Sequence, residues 1–100
     1  MIEVTTTSGI VEVKGHADGP EGRIVCAAVS AVTQALAAGL KEVAGLHTYE
    51  EQESGFMRIC WRTDHKLTKE QRAILNTWRL AMLYIQDASP EANITINGGP

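Results

Sequence analysis

The stretch that decides the fold is residues 24–44, IVCAAVSAVTQALAAGLKEVA. Its apolar side chains recur every three or four residues, which is the spacing of one face of an α-helix. Nine alanines or glycines between Ala27 and Gly45 keep this helix slim, so it can lie close to a sheet or to a second helix. Gly45 is placed for a C-terminal cap. The stretch therefore predicts a core helix whose apolar side carries Val25, Val29, Val32, Leu36, Leu40 and Val43.

The residues before this helix predict a β-hairpin followed by a loop. Residues 2–6 alternate apolar and polar side chains at the strand period, and Ser8-Gly9 supplies a turn before a second strand over residues 10–14. Residues 15–22 are small and turn-forming, with Gly19-Pro20 in their middle. We expect a mobile loop between the hairpin and the helix.

The residues after the helix predict a second hairpin, with strands over residues 47–51 and 56–62. In its second strand, Met57, Ile59 and Trp61 share one face, while Cys60 lies on the opposite, more polar face. We expect the first face to belong to the core.

A second helix is predicted over residues 69–86. Thr68 and Gln71 have the spacing of a capping box, and Pro90 ends the helical pattern. A short alternating segment over residues 92–96 then predicts a closing strand. The element order ββαββαβ predicts an α+β fold, with a mostly antiparallel sheet packed against two helices. The apolar stripe of the second helix carries Ile74, Trp78, Met82 and Ile85.

The length and composition indicate one ordinary globular domain over residues 1–100. A chain of 100 residues, 44% hydrophobic and 21% charged, has little material for a second core. The net charge of -3 and pI of about 5.5 argue against direct nucleic-acid binding, which needs a basic face. A mildly acidic surface favours a basic peptide as partner instead.

The sequence predicts a cytoplasmic protein without a membrane segment, cofactor or metal. No stretch is expected to reach the length of apolar chain that a membrane span requires, and the first residues lack the pattern of a signal peptide. Cys26 and Cys60 are expected to remain thiols, since a reducing cytosol disfavours a disulfide. The histidines and cysteines do not fall at the spacing of a structural zinc site.

Cys26 and His16 are the candidates for chemistry. Cys26 is expected in the first turn of the core helix, where unpaired N–H groups and the helix dipole favour the reactive thiolate. His16 ends the second strand, and the nine intervening residues can fold back to bring its imidazole to the sulfur. Such a histidine would take the thiol proton and return it to a leaving amine. The competing interpretation is that Cys26 only packs, because free cysteine is among the most buried residue types.

Three further residues are candidates for the pocket around Cys26. The N–H groups of Ala27 and Ala28 are candidates for an oxyanion hole, because the helix start directs such donors at negative charge. Ser30 follows Cys26 by about one helical turn and is a candidate pocket residue. A serine that bonds back to the carbonyl one turn earlier is an equally good interpretation.

Two segments carry a family resemblance. Gly15-His16-Ala17, then a glycine-containing loop, and then residues 24–31, IVCAAVSA, resemble the signature of the ribosomal-processing cysteine protease family. The length and the element order resemble that family over nearly the whole chain. The resemblance implies that His16 and Cys26 form the catalytic pair. It also implies a homodimer that removes the N-terminal extension of a large-subunit ribosomal protein precursor.

The loop between the two motifs departs from the family pattern. In the family this loop is flexible and the spacing from histidine to cysteine is somewhat longer, and an aspartate stands where this chain has Arg23. The resemblance makes the loop a candidate substrate-binding segment. Its candidate residues are Asp18, Gly19, Glu21, Gly22 and Arg23.

Other functions stay open at the level of sequence. A non-catalytic dimer of the same fold could bind a peptide or assist assembly, and a divergent protease could act on a phage capsid or scaffold precursor. His47 and His65 are weaker candidates for the base, because both are expected at surface turns. Thiol–disulfide exchange is disfavoured, since no CxxC motif or nearby second cysteine accompanies Cys26.

Overall fold

The computed structural model describes residues 1–98, so the last two residues of the predicted domain 1–100 lie outside the described part. Residues 39–43 form a π-helical continuation of the first helix, and residues 90–92 form a short 3₁₀ turn. Within the described residues the main elements are β1 Ile2–Thr7, β2 Ile10–Gly15, α1 Gly22–Ala38, β3 Thr48–Glu53, β4 Phe56–Trp61, α2 Lys69–Ala88 and β5 Ile94–Gly98.

The strands form one five-stranded sheet in the order β3-β4-β2-β1-β5. The β1–β2, β2–β4 and β3–β4 pairs are antiparallel, and only β1–β5 is parallel. In the centre of the sheet, Val13 pairs with Val4 on one side and with Met57 on the other. The predicted α+β fold with the order ββαββαβ is therefore confirmed.

The core lies between one face of the sheet and the two helices. Val4, Val11 and Ile59 are fully buried on the sheet, and the apolar sides of α1 and α2 pack against them. The Nε1–H of Trp78 on α2 donates to Thr33 Oγ1 on α1 at 3.2 Å, and both side chains are buried. This bond supplies a partner to two polar groups that would otherwise be costly inside the core.

The helix boundaries differ modestly from the predicted ones. α1 begins two residues before the predicted start, so Cys26 is its fifth residue and lies just beyond the first turn. The predicted apolar stripe holds through Leu40 but fails at Val43, which is 80% exposed. The Ala44 N–H donates to the Gly39 carbonyl, and such π-type bonding adds a residue to the turn and rotates Val43 away from the core. The capping box of α2 forms as predicted between Thr68 and Gln71.

The prediction that no stretch is long and apolar enough to span a membrane is wrong by the criteria of length and composition. The helical segment Gly22–Val43 has 22 residues and a mean hydropathy of 1.6, enough to cross a membrane on those two criteria. Core helices of soluble proteins pass the same test. Here the segment places Val25, Val29, Leu36 and Leu40 in the core against the sheet.

The face of the sheet opposite the helices carries a chain of ion pairs. Glu12 on β2 lies 3.1 Å from Lys14 Nζ and 3.0 Å from Arg58 Nε, and Arg58 also reaches Glu51 on β3 at 3.2 Å. The hydrogen bond from Lys14, followed by that from Arg58, holds the pKa of Glu12 below its usual range. These pairs connect three neighbouring strands through their side chains.

The lowered pKa of Glu12 predicts a loss of stability in acid. A carboxyl group whose pKa is lower in the folded state stabilises the fold above its unfolded pKa, here about 4.5, and loses this contribution as the pH falls further. Glu12→Gln should therefore lower Tm at pH 7 and reduce the fall in Tm between pH 5 and pH 3. Thermal unfolding by circular dichroism measures both. Glu3→Gln is the control, since Glu3 forms no ion pair within residues 1–98, and an equal change in both variants would contradict the assignment.

Candidate active site

His16 and Cys26 lie on either side of the loop that joins β2 to α1. His16 follows directly after β2, Cys26 lies on α1, and both residues line the same two cavities. The Ala17 N–H donates to Cys26 Sγ at 3.3 Å, and this is the hydrogen bond that the sulfur accepts within residues 1–98. The imidazole is exposed and the thiol is half-buried. The sequence therefore brings the two predicted reactive residues to one place.

The loop approaches α1 closely because the helix begins with a glycine. A methyl group on Gly22 would lie only 2.6 Å from the Ala17 carbonyl oxygen, which is closer than such atoms approach. The Gly22 N–H in turn donates to the Gly19 carbonyl at 3.2 Å. Gly22 thus allows the loop to fold onto the helix start and to direct the Ala17 N–H at the sulfur.

The imidazole of His16 rests against the turn of the second hairpin. Gly15 N–H donates to the Gly55 carbonyl at 2.8 Å, which ties the end of β2 to the β3–β4 turn. A methyl group on Gly55 would lie 2.6 Å from His16 Nε2 and 3.0 Å from His16 Cε1. Gly55 also has φ of +71°, so the turn and the contact with the ring both favour glycine.

Two cavities meet at the Cys–His pair. The first, of about 530 Å³, has an apolar floor from the core and a wall formed by the end of the second hairpin. The second, of about 520 Å³, lies over the loop and the start of α1. His16 and Cys26 line both cavities, so a peptide bond lying across the pair would have room on either side. The first cavity also includes Ile2, Val13, Val29, Ser30, Thr33, Gln52, Glu53 and Met57.

The other predicted pocket residues on α1 take different positions. Ala27 and Ala28 are the sixth and seventh residues of the helix, where backbone N–H groups bond to carbonyls one turn earlier. Their amides are therefore engaged within the helix. Ser30 lines the first cavity, and its Oγ accepts a hydrogen bond from Gln34 Nε2 at 3.1 Å.

The residues of the predicted substrate loop fall into two groups, those that line the second cavity and those that do not. Gly19, Gly22 and Arg23 line the second cavity. Asp18 points away from the pair, where its carboxylate lies 3.0 Å from the α-ammonium of Met1 and accepts a bond from Asn93 Nδ2 at 3.2 Å. The Met1 contact, followed by that of Asn93, lowers the pKa of Asp18.

Glu21 also lies outside the two cavities. Its carbonyl accepts the Val25 N–H at 3.1 Å, and it lines a separate surface depression beside the 3₁₀ turn. Together with Asp18, whose N–H donates to the Ala92 carbonyl at 3.0 Å, it fastens the loop to the rest of the chain. The loop that the sequence predicts to be mobile is therefore anchored by specific backbone hydrogen bonds, and its mobility stays a prediction.

The remaining histidines and the second cysteine lie elsewhere. His47 packs edge-on against Tyr49, with ring centroids 4.9 Å apart, and His65 is exposed beside Asp64. Cys60 pairs with Ile10 on the sheet face opposite the helices, so the sheet separates it from Cys26. Both cysteines are free thiols. Among the described residues, no group of three or more His, Cys, Asp or Glu side chains is arranged to hold a metal ion.

Sequence reasoning missed two parts of this site. The Ala17 amide has no side-chain signal, although its place directly after His16 and near a glycine-rich loop could have drawn attention to it. The wall formed by Gln52, Glu53 and Gly55 has the local pattern of a hairpin turn, which does not place it beside His16. Only the pairing of β2 with β4 brings that turn beside His16, and local patterns do not specify this pairing.

The α+β fold and the family comparison make this chain a cysteine protease. The chain belongs to the Prp family of cysteine proteases, because the family model described as cysteine protease Prp matches residues 1–95. A comparison with curated proteins found no significant match.

Solved structures share the fold of this chain. The crystal structure of SMU.848 from Streptococcus mutans aligns with a TM-score of 0.76 and 25% identity, over 97% of this chain and 92% of that chain. An essential ribosomal processing protease Prp from S. aureus, in complex with a substrate peptide, aligns with a TM-score of 0.78 and 23% identity, over 96% of this chain and 95% of that one. The same S. aureus protease with a covalently linked product peptide gives a TM-score of 0.76 and 24% identity, over the same shares of the two chains.

Proposed function

We propose that this cysteine protease removes the N-terminal extension of a large-subunit ribosomal protein precursor, with Cys26 as nucleophile and His16 as general base and acid. The observation that carries the mechanism is the convergence of three groups. The Ala17 N–H lies 3.3 Å from Cys26 Sγ, and His16 lines both cavities that Cys26 lines. The solved relative from S. aureus, a ribosomal processing protease with a bound substrate peptide, supports the substrate.

The proposed reaction follows the usual acyl-transfer sequence. His16 takes the proton of the Cys26 thiol, and the sulfur attacks the scissile carbonyl to give a tetrahedral oxyanion. His16 then gives the proton to the leaving amine, and the C–N bond breaks to leave a thioester on Cys26. Water, deprotonated by His16, attacks the thioester carbonyl, the C–S bond breaks to release the new C-terminus, and His16 returns the proton to the Cys26 thiolate.

We assign the backbone N–H of Ala17 as the oxyanion donor in this sequence. It already points at the sulfur, so a carbonyl carbon bonded to that sulfur would place its oxygen within reach of the same donor. Ala27 and Ala28 fit this role less well, because their N–H groups lie inside the helix. A donor fixed by the Gly22 contact also needs little rearrangement at the moment of reaction.

The test is cleavage of the precursor, followed by intact mass spectrometry. Wild-type protein should shorten a ribosomal protein precursor that carries its N-terminal extension, and a precursor with the same extension residues in scrambled order should remain intact. No cleavage, with Cys26 still reactive towards iodoacetamide, would contradict this substrate and favour another one, such as a phage capsid or scaffold precursor. No cleavage with an inert Cys26 would favour the non-catalytic peptide-binding module.

The homodimer, the cytoplasmic location and the role in ribosome biogenesis accompany this proposal. Leu80, Leu83 and Tyr84 are exposed on the outer side of α2 and offer an apolar contact for a second copy. The proposed partner remains a basic peptide substrate, and nucleic acid and membrane are not part of the proposal.

A further inference from the structure

We propose that the groove over Cys26 selects its substrate by charge, with an acidic side chain on the Arg23 side of the scissile bond and a basic side chain on the Glu53 side. This inference rests on the proposed peptidase function and adds the substrate class to it. It depends on the shape of the groove and on the charges that remain unpaired along it.

The groove consists of three neighbouring cavities along α1 that share lining residues. The two cavities at the Cys–His pair share His16 and Cys26. A third depression, between the end of α1 and β3, shares Gln52 and Met57 with the first cavity. The groove therefore follows α1 from Arg23 to Ala38, which is about 22 Å at 1.5 Å per residue. An extended peptide of about seven residues covers this distance.

Arg23 supplies positive charge at one end of the groove. It is exposed, lines the second cavity, and forms no ion pair within residues 1–98. It is also the second residue of α1, where the helix dipole disfavours a cation, and the first turn contains no acidic residue to offset it. The helix dipole thus makes an arginine here mildly unfavourable for folding, whereas an acidic substrate side chain would give it a partner.

The opposite side of Cys26 carries unpaired negative charge. Glu53 lines the first cavity beside Gly55, is exposed, and forms no ion pair among the described side chains. Farther along, Lys41 and Glu50 neutralise each other at 3.0 Å, which leaves Glu42 as additional negative charge. No lysine or arginine lines the first cavity. A basic side chain is therefore the complementary group on this side.

The expected discrimination is moderate and depends on salt. An exposed ion pair changes affinity by a factor of about 1.5 to 5, and a peptide in the wrong orientation replaces two attractions by two repulsions. With a factor of about 1.5 to 2 for each of these four contacts, near the weak end of this range, we expect a preference of about five- to twentyfold between opposite charge patterns at low salt. Screening at about 0.5 M salt should remove most of this preference.

The experiment measures peptide binding to Cys26→Ala, which keeps binding separate from cleavage. Four fluorescent peptides share an uncharged apolar centre of equal length and differ in their end residues. From the N-terminal to the C-terminal end these are Glu and Lys, Lys and Glu, Glu and Glu, or Lys and Lys. Fluorescence anisotropy should show one mixed-charge pattern bound about five- to twentyfold more tightly than its reverse. Reversing both groove charges with Arg23→Glu and Glu53→Lys should invert this order.

A matched control separates groove charge from net charge and helix effects. The control combines Lys69→Glu with Glu3→Lys, which reverses one positive and one negative charge in the same way. Lys69 begins α2 and Glu3 lies on β1, and neither residue is among the described residues that line the groove. This control should leave the order of the four peptides unchanged. Equal affinities within about twofold, an order that survives the groove reversal, or no saturable binding of any peptide would each overturn the inference. The proposed function is tested separately by wild-type cleavage of the ribosomal precursor, which can succeed whatever the charge preference is.

Discussion

Cys26→Ser is expected to lower kcat/KM for a cleaved peptide by about three orders of magnitude or more. A serine hydroxyl at this position is far less nucleophilic than a thiolate, and removal of a nucleophile leaves only binding and oxyanion stabilisation. The circular dichroism spectrum and Tm should stay close to those of the wild type, because the side chain is half-buried and changes by one atom. Steady-state kinetics with a fluorogenic peptide measures the loss.

Cys60→Ser is the matched control for this substitution. Cys60 is also a half-buried free thiol, but it lies on the sheet face opposite the helices. Its replacement should leave kcat/KM within about twofold of the wild type, because surface changes away from a site have small effects. Iodoacetamide at pH 6 should label Cys26 before Cys60, and His16→Ala should slow that labelling. Equal loss of activity in both serine variants would contradict the assignment of Cys26.

Gly55→Ala is expected to lower kcat/KM by about a hundredfold through His16. The added methyl group would lie 2.6 Å from the Nε2 atom, so the imidazole has to move by about 1 Å. A displacement of this size in a catalytic group commonly costs about two orders of magnitude in rate. The measurement is kcat/KM together with its pH profile, which reports on the essential acid and base.

Gly45→Ala controls for backbone strain. Gly45 has φ of +65°, close to the +71° of Gly55, but among residues 1–98 no atom outside its two chain neighbours lies within 4 Å of an added methyl group. Both variants should lose about 1 to 2 kcal/mol of unfolding free energy from the left-handed conformation. Only Gly55→Ala should also lose activity, because only there does the added methyl group displace the His16 ring. A comparable loss of activity in both variants would show that strain alone, and not the contact with His16, was responsible.

Local patterns in the sequence were sufficient to predict the helices and strands, and the catalytic role of His16 and Cys26 stays a prediction. The alternation of Met57, Ile59 and Trp61 predicted which face of β4 is buried, and the structure agrees. The capping pair Thr68 and Gln71 predicted the start of α2. These features depend on residues a few positions apart, so periodicity and capping chemistry detect them.

The parts that could not be predicted depend on long-range contacts. The wall beside His16 exists because β2 pairs with β4, which brings Gly55 next to Gly15 across 40 residues of chain. The Ala17 amide reaches Cys26 only because Gly22 admits the loop. The rotation of Val43 out of the core follows from π-type bonding, for which the residues give no local signal.

α1 contributes to both the core and the groove, which limits where substrate preference can change without loss of stability. Val29 and Thr33 form the floor of the groove and also belong to the core, where Thr33 accepts the Trp78 bond. A substitution on the floor therefore alters folding and recognition together. Arg23 and Gln34 stand on the rim and are exposed, so their replacement costs the fold little. A change of substrate preference therefore costs the fold less on the rim than on the floor.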